Sequence, residues 1–164
     1  MAGDIVREFG YLCLGSRFRR IGERLQADTQ QIIQDFGAEI QAGQYPFLAA
    51  IDRDGPLTIG ELAEAVGITQ PGATRTVAQL TDLGLVEALA ADGDQRRKLV
   101  SLTETGRALI ERSKREIWPT IERAVRDLCG DLTAPLLDHL AAMEDGLAAA
   151  PLAQRPTKKP EETP

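Results

Sequence analysis

"LTIGELAEAVGITQPGATRTVAQLTDLGLVE", residues 57–87, decides the fold. Thr58 and Glu61 stand three residues apart, the spacing at which hydroxyl and carboxylate cap the first N–H groups of a helix. Ile59, Leu62, Ala63 and Val66 then share one face, and Gly67 ends the helix. Thr69 caps a second helix at once. Pro71 fits its first turn, where a missing N–H costs little. Ala73, Val77 and Leu80 line the inward side, and Gly84 stops it. Two helices joined by so short a turn predict a helix-turn-helix, the first bracing the second.

The outward face of residues 69–82 carries the chemistry. Thr69, Gln70 and Pro71 stand at its start, and Thr74, Arg75 and Gln79 lie away from the apolar stripe. Arg can hold guanine by two hydrogen bonds, Gln can hold adenine, and Thr reaches bases or phosphates. Such a helix enters the major groove of DNA by its N-terminal end. An ordinary polar helix face is the plain alternative.

The next segment favours the first reading. "LVEALA" and "KLVSLT" alternate, or nearly so, and flank "ADGDQRR", which predicts a two-stranded hairpin with a basic tip. A tip of this kind can reach a flanking minor groove, where an Arg senses width and negative potential. Asp94 precedes Arg96 by two residues, close enough to orient its guanidinium. Arg97 and Lys98 then serve as phosphate contacts or as shoulders of the hairpin.

Residues 57–87 together with "DGDQRRKLVSLTETGRALIE", 92–111, resemble the winged-helix core of the MarR (multiple antibiotic resistance regulator) family. The motifs "GITQPGATRTV", Asp94-x-Arg96 and "LVSLTETG" carry the resemblance. It implies a homodimer that binds a pseudo-palindromic double-stranded DNA operator, usually as a repressor. It implies base reading by the helix at Thr69–Asp82 and minor-groove insertion of Arg96 held by Asp94. It also implies release by a small molecule or an oxidant. Gln95 departs from the family habit of two basic residues directly after the wing Asp. Arg96 keeps the D-x-R spacing, so the role passes to Arg96.

The flanks predict helices in need of a partner. Residues 4–36 read as one long amphipathic helix, with Ile5, Phe9, Leu12 and Ser16, then Phe18, Ile21, Leu25, Ile32 and Phe36, mostly at three- to four-residue steps or twice that. Its polar side carries Arg17, Arg19, Arg20 and Arg24. "YPFLAAI", 45–51, is a short helix with Pro46 near its start, and "DRDGPL" a turn. Thr103 caps a long helix to about Leu128, which Pro119 kinks or splits. "DLTAPLLDHLAAMEDGLAAA" is a last helix with Pro135 in its first turn. Pairing two chains would bury both terminal stripes.

Composition narrows the function classes. Nineteen basic and 25 acidic residues give a net charge of −6, so any DNA contact must rest on locally concentrated charge. Aromatics at 4% exclude a stacking platform for single strands. Two distant cysteines, Cys13 and Cys129, form no disulfide framework or zinc motif. The single His139 has no neighbouring nucleophile motif, and no Gly-rich phosphate loop follows a strand, so no enzyme, metal or cofactor is expected. No apolar run suits a membrane span, and a cytoplasmic protein follows as the expectation.

The sequence therefore predicts a mainly α chain with a small β-hairpin wing. Residues 1–40 form an N-terminal dimerisation helix and 41–104 a winged helix-turn-helix core. Residues 105–150 form C-terminal dimerisation helices and 151–164 a disordered tail. Tyr11, Arg17 and Tyr45 are candidate contacts for a small aromatic or anionic effector, an aromatic wall and a cation suiting a planar anion; interface packing is their plain alternative. Cys13 is a candidate redox thiol with Arg17 one turn on, although Leu12 and Leu14 suggest burial. Other readings are a winged-helix protein-interaction module without its own operator and a Cys-based redox-sensing regulator.

Overall fold

The computed structural model describes residues 3–91 and 94–155, with the side chains of 90–97 and 133–134 outside the description. The helices are α1 (Ile5–Glu8), α2 (Leu14–Asp35), α3 (Tyr45–Asp54), α4 (Ile59–Val66), α5 (Gln70–Asp82), α6 (Glu104–Arg112), α7 (Trp118–Cys129) and α8 (Thr133–Ala149). Strands β1 (Val86–Ala91) and β2 (Asp94–Leu102) form an antiparallel hairpin between α5 and α6. Residues 1–121 and 122–164 make two compact units.

The first helix is not continuous. Gly10 turns the chain at φ 51°, and a 3-10 turn over Gly10–Cys13 separates α1 from α2. That backbone region is cheap for glycine and costly for most residues. Periodicity across 4–36 therefore misled the reading of one helix: the apolar steps persist through the break, but the backbone reverses. The Asp4 carboxylate accepts from the backbone N–H of Arg7 and pairs with Arg20 at 3.1 Å, sixteen residues away.

The winged core follows its sequence signals closely. Thr58 and Glu61 form the reciprocal cap: the Thr58 N–H donates to the Glu61 carboxylate at 2.8 Å, and the Glu61 N–H donates to the Thr58 hydroxyl at 3.2 Å. Gly67 takes the left-handed conformation, φ 73° and ψ 34°. Its N–H reaches the Glu64 carbonyl, and Ile68 N–H reaches Ala63, so two of the loose carbonyls of α4 are satisfied within two residues. The same pairing recurs after α5, from Gly84 to Thr81 and from Leu85 to Leu80. Ala73, Val77 and Leu80 are buried, as are Leu62 and Ala63. They join Ile33, Phe47, Leu48, Val86, Val100, Ile110 and Ile117 in one core.

The hairpin pairs Val86 with Leu102, Ala88 with Val100 and Ala90 with Lys98. Leu57, read as the end of a turn, instead bridges Val100 with two backbone hydrogen bonds of 3.1 and 2.7 Å. The wing is thus anchored on its far edge by the residue preceding the α4 cap.

Thr103 closes the core. Its N–H donates to the Leu85 carbonyl at 3.1 Å, and its hydroxyl donates to Gly84 at 2.7 Å and accepts from Gly106 N–H at 3.0 Å. Arg107 donates to the Leu102 carbonyl at 2.9 Å. Gly106 is buried, and a Cβ there would lie 2.0 Å from the Leu85 carbonyl oxygen.

The helix after Thr103 is interrupted, as Pro119 predicts, but in a particular way. Ser113–Ile117 form a π-helical turn, and the Trp118 N–H bonds back to Ser113. Pro119 has no N–H for the Arg115 carbonyl, and its ring would crowd that group in a regular helix; a widened turn relieves both. Lys114 in this turn pairs with Asp52 of α3 at 2.7 Å, and Arg112 donates to the Phe36 carbonyl at 2.7 Å.

Candidate nucleic-acid interface

Helix α5 presents two chemically distinct sides. Its inner stripe is buried, while Thr69, Gln70, Pro71, Thr74 and Arg75 are exposed. The Thr69 hydroxyl accepts from the Gly72 N–H at 3.4 Å and so caps the N-terminal end of α5. Thr74 donates to the Gln70 carbonyl at 3.0 Å, which leaves its hydroxyl oxygen outward as an acceptor. The Arg75 guanidinium has no ion-pair or hydrogen-bond partner among the described residues. An unspent cation beside small residues and amides is well suited to a groove lined with acceptors.

Gln79 differs from the others. Its side-chain oxygen accepts from Gln44 at 3.2 Å, and Gln44 is only 5% exposed. Gln44 in turn accepts from the Gln41 N–H at 3.0 Å. One face of the Gln79 amide thus braces α5 against the segment before α3. Nothing in the residue pattern marks Gln44, which sits in a linker-like run without periodicity.

In the wing, Lys98 is exposed opposite Ala90. The backbone of Asp94, Arg96 and Arg97 runs in β2, with a register irregularity between Ala90 and Ala91. Their side chains, and the expected pairing of Asp94 with Arg96, lie outside the described residues, as do tail residues 156–164.

The effector candidates separate. Tyr45 is 7% exposed, its ring edge-on to Trp118 with centroids 6.2 Å apart. The Ser113 hydroxyl lies 3.1 Å from the Tyr45 hydroxyl, to which it can donate, and 2.7 Å from the Leu109 carbonyl, and its one proton is shared between the two. Burial holds the phenol above its ordinary range, with the Ser113 hydrogen bond and the Arg112 charge acting against it. Tyr11 is 94% exposed. Arg17 instead lines a cavity with Asp4, Arg7, Arg20, Ile21 and Arg24. Cys13 and Cys129 are both free and half-buried; Leu12, expected to cover Cys13, is 82% exposed. His139 is exposed. Among the described residues no group of His, Cys, Asp or Glu is arranged to hold a metal, and no helix is long and apolar enough to cross a membrane.

A braced helix with a polar outer face, followed by an anchored hairpin, defines the winged helix-turn-helix class of DNA-binding proteins. Comparison with known proteins then gives the family. The MarR family model matches residues 39–97. An HTH-type transcriptional regulator of Mycobacterium bovis, Mb0904, is 31% identical over 110 residues, covering 61% of this chain and 77% of the relative. BpsR of Bordetella bronchiseptica, whose DNA binding is regulated by 6-hydroxynicotinic acid, superposes with a TM-score of 0.71 at 26% identity, over 80% of this chain and 93% of that one. The transcriptional repressor CouR, bound to a 23-mer DNA duplex, gives 0.70 at 25% identity, over 80% and 92%. The chain belongs to the MarR family and is a DNA-binding transcriptional regulator, not an enzyme.

Proposed function

We propose that the protein is a cytoplasmic, homodimeric repressor of a pseudo-palindromic operator, released by a small-molecule effector. The observation that carries this reading is the outer face of α5. Arg75 is unpaired among the described residues beside Gln70 and Thr74, on a helix whose opposite stripe is locked into the core. The N-terminal half of α5 reads bases, Arg96 enters the minor groove, and Arg97 and Lys98 meet phosphates. Dimerisation places two such helices about one turn of DNA apart, roughly 34 Å. Exposed Ile5, Phe9 and Leu12 at one end of the chain and Leu128, Leu137 and Leu147 at the other supply the apolar surface for pairing. The DNA complex of CouR and the effector-regulated DNA binding of BpsR, both structurally similar, support the reading.

The test is a gel-shift titration on the DNA upstream of the protein's own gene, at stated salt. Sequence-selective retardation is expected, and Arg96→Ala weakens it by about 1–3 kcal/mol, the scale of one good groove contact. Retardation that random DNA competes away equally would defeat the operator reading. Wild-type affinity in the Arg96 variant would remove the wing assignment alone.

A further inference from the structure

The reversal at Gly10 builds something that a continuous helix does not. In an unbroken helix Arg7 and Arg17 would stand about 15 Å apart along the axis. The break lets α1 fold beside α2, and Arg7 joins Arg17, Arg20 and Arg24 around one cavity of about 440 Å³. That volume lies within the range of small-molecule sites. Arg17, Arg20 and Arg24 recur at three- and four-residue steps, so their guanidiniums stack along one side of α2. Ile21 gives the same cavity an apolar wall.

The charge there is out of balance. Asp4 is the one carboxylate among six lining residues, against four guanidiniums, in a chain whose net charge is −6. Asp4 is already engaged with Arg20, and that contact holds its carboxyl below the ordinary range. Arg17 and Arg24 have no side-chain partner among the described residues, and Arg17 is half-buried; Arg7 adds its charge to that of Arg20 on Asp4. Like charges on one helix face repel and destabilise it. A bound anion converts that cost into charge-assisted, bidentate hydrogen bonds.

We propose that Arg7, Arg17, Arg20 and Arg24 bind a multiply charged phosphate-bearing small molecule, with Ile21 receiving its apolar part. The arginines hold the phosphate oxygens, and Asp4 competes with the ligand for Arg20. The site gives the effector reading a place and a ligand class; it rests on that reading only for its consequence at the operator.

Calorimetric titration of the full chain with pyrophosphate and with hexyl phosphate, at constant ionic strength, tests the site. One saturable site per chain is expected, with hexyl phosphate bound more tightly than methyl phosphate. Arg17→Gln with Arg24→Gln lowers affinity for pyrophosphate at least tenfold. Asp4→Asn, which keeps a capping side chain and frees Arg20, raises it several-fold. Absence of saturable binding, or equal binding by the double variant, overturns the proposal. So does a double variant that turns a dimer into a monomer while pyrophosphate binds neither protein, because the arginines then answer carboxylates of a second copy. Loss of operator affinity in the double variant, with no pyrophosphate bound by the wild type, overturns it in favour of DNA phosphates. Pyrophosphate binding that leaves operator affinity unchanged supports the site and removes its role in release.

Discussion

Arg75 and Tyr45 show how differently two single side chains can be used. Arg75 is exposed and unpaired among the described residues, so its removal leaves the fold alone. Arg75→Ala is expected to cost about 1–3 kcal/mol of discrimination at one base position, read by binding to a panel of single-base operator variants. An unchanged preference profile would assign Arg75 to the phosphates or to solvent. Tyr45 is buried, and its ionised form is disfavoured in the folded chain. The unfolded chain therefore loses that proton first as pH rises past the ordinary value of 10.0. Stability from this group is complete below pH 10.0 and is lost as pH climbs towards the raised value. Urea titrations from pH 9 to 11 should show a steeper decline in wild type than in Tyr45→Phe. Parallel declines would mean that other groups control the alkaline limb.

Among elements, the contact between α6 and the end of α5 sets the tightest constraint. Gly106→Ala gains up to about 1 kcal/mol in helix propensity. The added methyl group would meet a backbone carbonyl at 2.0 Å, which cannot rotate away as a side-chain tip can. Overpacking of this kind costs about 1–3 kcal/mol, so the clash wins and the denaturation midpoint falls. A midpoint equal to or above wild type would show that α6 shifts freely. Elements governed by neighbouring residues were legible in the sequence: the Thr58–Glu61 cap, the Gly67 stop and the Thr69 start. Elements governed by distant partners were not. Leu57 becomes a bridge only because Val100 arrives 43 residues later. Gln44 becomes a brace only because Gln79 faces it across the core. At Gly10 the apolar period continued while the backbone turned, and no pattern of side-chain types reports a single positive φ. The outer face of α5 was legible because a helix with one buried stripe leaves its other positions to solvent or to a partner. Which of those positions are already engaged inside the molecule, as Gln79 is, required coordinates.

The whole molecule leaves large apolar side chains uncovered at Ile5, Phe9 and Leu12, and separately at Leu128, Leu137 and Leu147. In a chain that is 43% hydrophobic, these are the surfaces that the proposed pairing would cover. Sedimentation should give a dimer, and Phe9→Glu with Leu12→Glu should shift it towards monomer while the winged core stays folded by circular dichroism. A dimer that tolerates both charges would place the pairing surface elsewhere. Thr103 adds a mechanical consequence at this scale. Its hydroxyl and N–H hold Gly84 and Leu85, the residues that follow α5, while the same hydroxyl caps Gly106 in the first turn of α6. Arg107 fastens the same turn to β2. Helix α5, the wing and the start of α6 are thereby tied into one unit. In the proposed dimer, torque applied to α6 is expected to change the gauge between two such units rather than the tilt of α5 within either. Regulation of the proposed dimer would then act as a caliper, with the length of DNA between half-sites as part of the recognised sequence.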